Sequence, residues 1–109
     1  MTDESLEETR LVEALKALAD ENRLRIMRAL CRTGCCSCEQ VSADADGMCS
    51  CDVEKLTGLA QSTVSHHMEL LRRAGLVKAH KLGKWTYYRR NDAAVRELGG
   101  LLRRALPES

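Results

Sequence analysis

The chain has 109 residues, of which 44% are hydrophobic and 30% are charged, with a formal net charge of +1 at pH 7. This length suits a single domain, nothing resembles a membrane span, and the acidic start MTDESLEETR is the opposite of a secretory signal. We therefore expect one cytoplasmic domain covering residues 1–109, with an aliphatic core because phenylalanine is absent.

Two helices are predicted at the beginning of the chain. Leucines recur at helical spacing within residues 5–19. A second helix is expected to begin after Asp20, whose carboxylate can cap it, and to end at Gly34. Its apolar side would be formed by Leu24, Ile26, Met27 and Leu30.

All six cysteines lie between residues 31 and 51. Residues 33–48 show no sustained periodicity, so we expect a loop that carries thiols. In a reducing cytoplasm such a cluster favours metal binding or redox chemistry over structural disulfides. The next segment, DVEKLTGLA, is predicted as a short helix that buries Val53, Leu56 and Leu59.

The segment QSTVSHHMELLRRAGLV, residues 61–77, is the clearest helix of the sequence. Ser62 can cap its start, and Gly75 followed by Leu76 fits a helix-ending glycine motif. Its apolar side is formed by Val64, Met68 and Leu71. Its polar side carries Ser62, Ser65, His66, Glu69 and Arg73.

A β-hairpin and a last helix complete the predicted fold. Two strand-like runs are joined across Leu82 and Gly83. Alternation places Trp85 and Tyr87 on one face of the second strand and Tyr88 on the other, where we expect the rings to pack the hairpin against helices. The last helix is predicted from Ala93 to about Leu106. The fold class is therefore mainly α with a small β-hairpin.

Residues 70–91 contain no acid but seven lysines and arginines, which indicates a polyanionic partner. Two short helices, the second polar on its outer side, followed by a basic hairpin form the pattern of a winged helix-turn-helix that binds double-stranded DNA. Small polar side chains of the second helix suit base edges, and the cations of the hairpin suit phosphates. The predicted DNA contacts are Gln61, Ser62, Thr63, Ser65, His66, His67, Arg73, His80, Lys81, Lys84 and Arg89.

The segments LADENRLRIMRAL, CSCDVEKL, QSTVSHHMELLRRAGLV and GKWTYYRRN occur in the order typical of one family. Over residues 11–102 the chain resembles the ArsR/SmtB family of metal-sensing repressors, and is closest in type to its arsenite-responsive members. The resemblance implies a winged-helix homodimer joined through its first and last helices, which leaves operator DNA when a toxic ion binds. No phosphate loop, paired-carboxylate site or catalytic Cys–His pair indicates an enzyme, and no organic cofactor is expected.

The resemblance also locates the ion. Cys49, Cys51 and Asp52 match the family's Cys-x-Cys-Asp motif, whereas Glu54 occupies the position of the third cysteine of arsenite sensors. The last helix lacks histidine, so the family's other common site is not expected there. An upstream thiol must complete the site, and Cys31 is interpreted as a packing residue. The predicted metal ligands are Cys49, Cys51, Cys38 and Cys36.

A sulfur-rich ligand set selects soft ions. Three thiolates suit arsenite or antimonite, and four thiolates suit Cd(II), Pb(II) or Zn(II) as the alternative inducer. A thiol-redox-sensing repressor of the same fold is a further alternative, because Cys35 and Cys38 form a Cys-x-x-Cys. Since residues i and i+2 of a helix point about 200° apart, we expect either that at least one of Cys49 and Cys51 precedes the helix or that its first turn unwinds when the ion binds.

Overall fold

A computed structural model describes residues 3–30 and 47–108 of the chain. Cys31, Cys35, Cys36, Cys38 and most of the predicted loop 33–48 lie outside the described residues. In chain order the elements are α1 (Asp3–Leu18), α2 (Glu21–Ala29), β1 (Met48–Cys49), α3 (Ser50–Thr57), α4 (Gln61–Arg73), β2 (Val77–Leu82), β3 (Trp85–Arg90) and α5 (Asp92–Ala105). The mainly helical class with a small β-hairpin is confirmed.

The strands form one antiparallel sheet in the order β1-β3-β2. The predicted hairpin is confirmed, with β2 and β3 paired from Val77 opposite Arg90 to Leu82 opposite Trp85. Its two-residue turn begins with Gly83 at φ +62, a positive value that such turns require and that glycine adopts without strain. The strand β1 was not expected; it pairs with the outer side of β3, with Cys49 opposite Tyr87.

The helix α2 follows the prediction at its start and departs from it at its end. Asp20 accepts hydrogen bonds from the backbone N–H groups of Asn22 and Arg23, which confirms it as the cap. The helix ends at Ala29 rather than Gly34. Leu24 was predicted inward but is 49% exposed, because it precedes the buried Ile26 by two residues and points about 200° away.

The end of α4 is confirmed, and its predicted start is wrong. Gly75, at φ +78, donates to the carbonyl of Arg72, and Leu76 donates to that of Leu71, the paired bonds of a Schellman motif. The cap at the start is Ala60, without a side-chain bond, so Ser62 does not cap the helix. Ser62 fails as a cap because it lies inside the first turn, where the backbone is already helical.

Asn91 fastens the base of the hairpin to the end of α4. Its backbone N–H donates to the carbonyl of Leu76 over 2.9 Å, and its Nδ2 donates to that of Gly75 over 3.0 Å. The same residue caps α5 through its side-chain oxygen, which accepts from the N–H of Ala94. The two ends of the hairpin, the end of α4 and the start of α5 therefore meet at one residue.

The core is aliphatic, as predicted. Its fully buried members include Ile26, Val53, Val64, Met68, Leu71 and Leu76. α1 packs against α5, and these two helices leave large apolar side chains exposed, namely Leu6, Val12, Leu15 and Leu102. Among the described residues, no helix has the length and apolar character needed to cross a membrane.

Candidate thiol site and nucleic-acid interface

Cys49 and Cys51 converge at the start of α3. Cys49 is the cap residue, with an extended backbone at φ −79 and ψ 164, whereas Cys51 lies in the first helical turn. The expectation that one of the two precedes the helix is therefore confirmed. Their Cα atoms are 5.4 Å apart and their Sγ atoms are in contact, paired as a disulfide. The change from strand to helix is what turns both sulfurs toward one point.

Asp52 completes a group of three possible ligands. Its side chain is buried, and its Oδ2 lies 3.4 Å from the Sγ of Cys49, within hydrogen-bonding distance of a thiol. The ligand atoms of Cys49, Cys51 and Asp52, hereafter the thiol group, all lie within 4.8 Å of one another. Sequence reasoning placed Asp52 in the motif but did not assign it as a ligand. Its burial directly after two cysteines is the feature that marks it.

The thiol group lies against the hairpin. Cys49 and Tyr87 form a buried cluster of their own, and Cys51, Leu82 and Trp85 pack around it. Tyr88 packs against the main core on the other side of β3. The predicted separation of Trp85 and Tyr87 from Tyr88 is therefore confirmed, and it gives the cysteines an aromatic wall.

The other two predicted ligands, Cys36 and Cys38, lie outside the residues that the structure describes. In the part of the chain that the structure describes, only Cys49, Cys51 and Asp52 group together as possible ligands, so no histidine joins them. The described residues therefore supply two sulfurs and one carboxylate to this group.

α4 presents its polar residues outward from its first turn. α3 and α4 pack together and are joined by a short turn in which Gly58 ends α3 at φ +71. The exposed side chains at the start of α4 are Gln61, Ser62, Thr63, Ser65 and His66. Backbone N–H groups at a helix start are also unsatisfied within the helix and attract phosphate.

His67 does not lie on this exposed face, contrary to the prediction. It is 8% exposed, and its Nδ1 lies 3.0 Å from Nη1 of Arg23 in α2. Position 67 follows Val64 by three residues and precedes Leu71 by four, which places it on the buried side of the helix. His67 is thus a packing residue in this structure.

Arg73 is exposed but already has an acidic neighbour. The carboxylate of Glu69 accepts from Arg72 over 2.6 and 2.9 Å and from Arg73 over 3.2 Å. The hydrogen bonds and charge of Arg72, with help from Arg73, lower the pKa of Glu69 to about 2. Glu69 therefore stays charged at neutral pH and offsets part of the positive charge of this face.

The hairpin, hereafter the wing (β2 and β3, residues 77–90), carries the remaining predicted DNA contacts. His80, Lys81, Lys84 and Arg89 are all exposed. Lys84 lies in the turn at the tip, where its Nζ is 5.5 Å from the centroid of the Trp85 ring. This distance suits a cation–π contact, so the tip cation is linked to the aromatic wall of the thiol group.

These features define a class of protein. A polar helix that follows a short turn, with a basic hairpin beside it, is the arrangement by which winged helix-turn-helix proteins bind DNA. A family profile described as a helix-turn-helix domain matches residues 18–79.

Comparison with known proteins makes the assignment specific. The arsenical resistance operon repressor of Bacillus subtilis is 36% identical over 90 residues, which cover 83% of this chain and 71% of that protein. The cadmium resistance regulator CadC of Listeria innocua is 37% identical over 73 residues, 67% of this chain and 51% of that protein. The chain belongs to the ArsR/SmtB family of winged-helix transcriptional regulators.

A solved structure supports the same fold. The homodimeric winged helix-turn-helix domain of a possible ArsR-family regulator from Mycobacterium bovis aligns with a TM-score of 0.67 at 21% identity. The alignment covers 96% of this chain and 87% of that one. α4 is hereafter the recognition helix.

Proposed function

We propose that this protein is a cytoplasmic, homodimeric repressor that binds double-stranded operator DNA and leaves it when As(III) or Sb(III) binds its cysteines. The observation that carries the proposal is the convergence of the Cys49 and Cys51 sulfurs at the start of α3, the helix that packs against the recognition helix. An ion held there acts on the element that supports the DNA-binding surface.

The chemistry of the thiol group supports a soft ion. Two sulfurs and one buried carboxylate within 4.8 Å suit a thiophilic ion better than Mg(II) or Ca(II). Cys49 and Cys51 would bind it as thiolates, which requires the reduced form, with Cys38 or Cys36 as the third sulfur. In the reduced, ion-free form the Asp52 carboxylate would accept a hydrogen bond from the thiol of Cys49 and so orient its sulfur before the proton is lost. A fourth thiolate would change the preference to Cd(II), Pb(II) or Zn(II).

The surface of the recognition helix and wing supports DNA as the partner. Exposed hydroxyl, amide and imidazole groups on α4 suit base edges, and exposed cations on the wing suit phosphates. The exposed leucines of α1 and α5 support a homodimer, since a second copy would cover them. The relatives support this reading, since one is named as an arsenical resistance repressor and the matched solved structure is homodimeric.

Fluorescence anisotropy on the protein's own upstream DNA tests the proposal. Reduced, metal-free protein should bind, and arsenite should weaken binding by about tenfold or more, within the usual range of allosteric coupling. Cys49→Ser and Cys51→Ser should bind DNA normally but no longer respond, whereas Cys31→Ser, the matched control, should respond like wild type. Full inducibility of either of the first two variants would contradict the assignment.

The pairing of Cys49 with Cys51 favours one second candidate, a redox-sensing repressor. Peroxide would oxidise the two thiols to a disulfide, with both protons and both electrons passing to the peroxide to give two water molecules. If peroxide but neither arsenite nor Cd(II) released the DNA, and dithiothreitol restored binding, this second function would replace the first.

A further inference from the structure

We propose that Trp85 and Tyr87 transmit the state of the thiol group to the wing, so that an ion at the cysteines changes the position of Lys84 on DNA. This inference rests on the proposed function and adds a route by which the cysteines act. It makes Trp85 a positioning residue for the tip of the wing.

The first step of the route is backbone pairing. Cys49 lies directly opposite Tyr87 in the β1–β3 ladder, and both side chains are completely or almost completely buried. A buried, close-packed pair cannot change position independently. Any movement of Cys49 that accompanies ion binding therefore reaches the middle of the wing strand β3 directly.

The second step is the aromatic wall. Trp85 packs against the cluster formed by Cys49 and Tyr87, on the same face of β3. Trp85 also lies beneath Lys84, whose Nζ is 5.5 Å from its ring centroid. One half-buried ring thus contacts both the surroundings of the cysteines and the cation at the tip of the wing.

The backbone at Gly47 lies close against the same strand. Gly47 has φ +115, and a Cβ placed on it would lie only 2.2 Å from the carbonyl oxygen of Tyr88. The chain entering the thiol group is therefore in direct contact with β3 before Cys49 is reached. α3 and β3 also contact each other, so the motif and the wing form one packed unit.

The test compares two substitutions of the same ring by anisotropy with and without arsenite. The quantity compared is the ratio of the dissociation constants for DNA with and without arsenite. Trp85→Phe keeps an aromatic face under Lys84, so this ratio should stay within about twofold of wild type. Trp85→Leu keeps apolar volume but loses that face, so its ratio should fall to less than about a third of wild type. Arsenite should protect the same number of thiols from a thiol reagent in all three proteins.

Hydrogen exchange of the wild-type protein gives a second readout that needs no substitution. Arsenite should change the exchange of the β3 amides, residues 85–90, as well as those of α3. If Trp85→Leu responds like wild type, or if β3 exchange is unchanged while thiols are protected, the wing is not the route. Loss of thiol protection in Trp85→Leu would also overturn the inference. If arsenite protects no thiol in the wild type, the proposed function itself fails.

Discussion

Arg23 links the recognition helix to the end of α1. Its Nη1 lies 3.0 Å from Nδ1 of His67, and its Nε donates to the carbonyl oxygen of Ala17 over 2.6 Å. Because a guanidinium group only donates, the contact with His67 requires Nδ1 to be the unprotonated ring nitrogen. The helix expected at the dimer interface is thereby tied through one side chain to the helix expected on DNA.

Replacing Arg23 should therefore destabilise the fold. Arg23→Ala leaves the Ala17 carbonyl and the buried ring of His67 without this donor, which should lower the free energy of unfolding by about 1–3 kcal/mol. Urea denaturation at neutral pH measures the change. Arg25→Ala, an exposed position on the same helix, should change stability by less than about 0.5 kcal/mol. Equal effects of the two substitutions would show that the link contributes nothing.

The Asp20 cap should give α2 a pH-dependent stability. The backbone N–H of Arg23, together with that of Asn22, lowers the pKa of Asp20 below its ordinary value of 3.8. As the pH falls, the unfolded chain therefore protonates Asp20 before the folded protein does. The contribution of the Asp20 charge to the stability of the fold is complete above pH 3.8 and is lost as the pH falls through the pKa of the folded protein.

Asp20→Asn keeps an accepting oxygen without the charge and is the matched control for Asp20→Ala. At pH 7 the urea midpoint should decrease in the order wild type, Asp20→Asn, Asp20→Ala. The gap between wild type and Asp20→Asn should narrow as pH is lowered to about 3. A gap that is independent of pH would contradict the role of the carboxylate charge.

Glu69 should weaken DNA binding by neutralising its neighbours. Glu69→Gln removes one negative charge from the recognition helix and frees Arg72 and Arg73. We expect tighter DNA binding and a steeper dependence of log K on log salt, by up to about one unit of slope. Anisotropy over a salt series measures both. Glu97 lies on α5 and is an exposed partner of Arg10, so Glu97→Gln is the control for the same change of charge elsewhere. It should leave the affinity for DNA and the salt slope unchanged. An equal effect of the two substitutions would show that only the net charge of the protein matters.

Gly47 should be far less replaceable than another glycine with positive φ. Gly47→Ala adds a clash with the Tyr88 carbonyl to a strained backbone, so the loss of stability should be about 2–5 kcal/mol. Gly58→Ala, at φ +71 with open space around the added carbon, should cost only about 1–2 kcal/mol. Thermal or urea unfolding compares them. Similar losses would mean that β1 does not pack on β3 as closely as described.

The exposed apolar face of α1 should control dimer formation. Val12 and Leu15 are 47% and 39% exposed and lie three residues apart, on one side of the helix. Replacing both with Glu should shift the protein from dimer to monomer in light scattering at micromolar concentration, with helical content retained. Leu24→Glu, on the exposed side of α2, should leave the mass unchanged. A double variant that remains dimeric would place the interface elsewhere.

The features that sequence predicted correctly depend on neighbouring residues. Asp20 caps the helix that begins beside it, and Gly75 with Leu76 ends α4, because both devices operate within one helical turn. Helix geometry predicted that one of Cys49 and Cys51 precedes α3, and the resemblance to the family motif predicted that the two act together. The aliphatic core followed from the absence of phenylalanine, and the faces of β3 followed from strand alternation.

The features that sequence did not predict depend on distant partners. β1 has two residues and exists only because Tyr87 and Tyr88 pair with it from another part of the chain. The contact of Arg23 with His67 joins two helices and has no local pattern. The burial of His67 could have been inferred, since its spacing from Val64 and Leu71 assigns it to the apolar side.

Asn91 anchors the base of the hairpin, and under the proposed route this has a mechanical consequence. Asn91 bonds the base of the hairpin to Gly75 and Leu76, so β3 would act as a lever with its pivot at Asn91 and its far end at the turn that contains Lys84. Cys49 meets this lever at Tyr87, part-way along its length. Three residue-to-residue steps of about 3.3 Å each separate Tyr87 from Lys84 at the tip. Under the proposed route, a small rotation imposed at Tyr87 would be amplified at Lys84, so the sulfur atoms would not need to move far for the wing to lose its place on DNA.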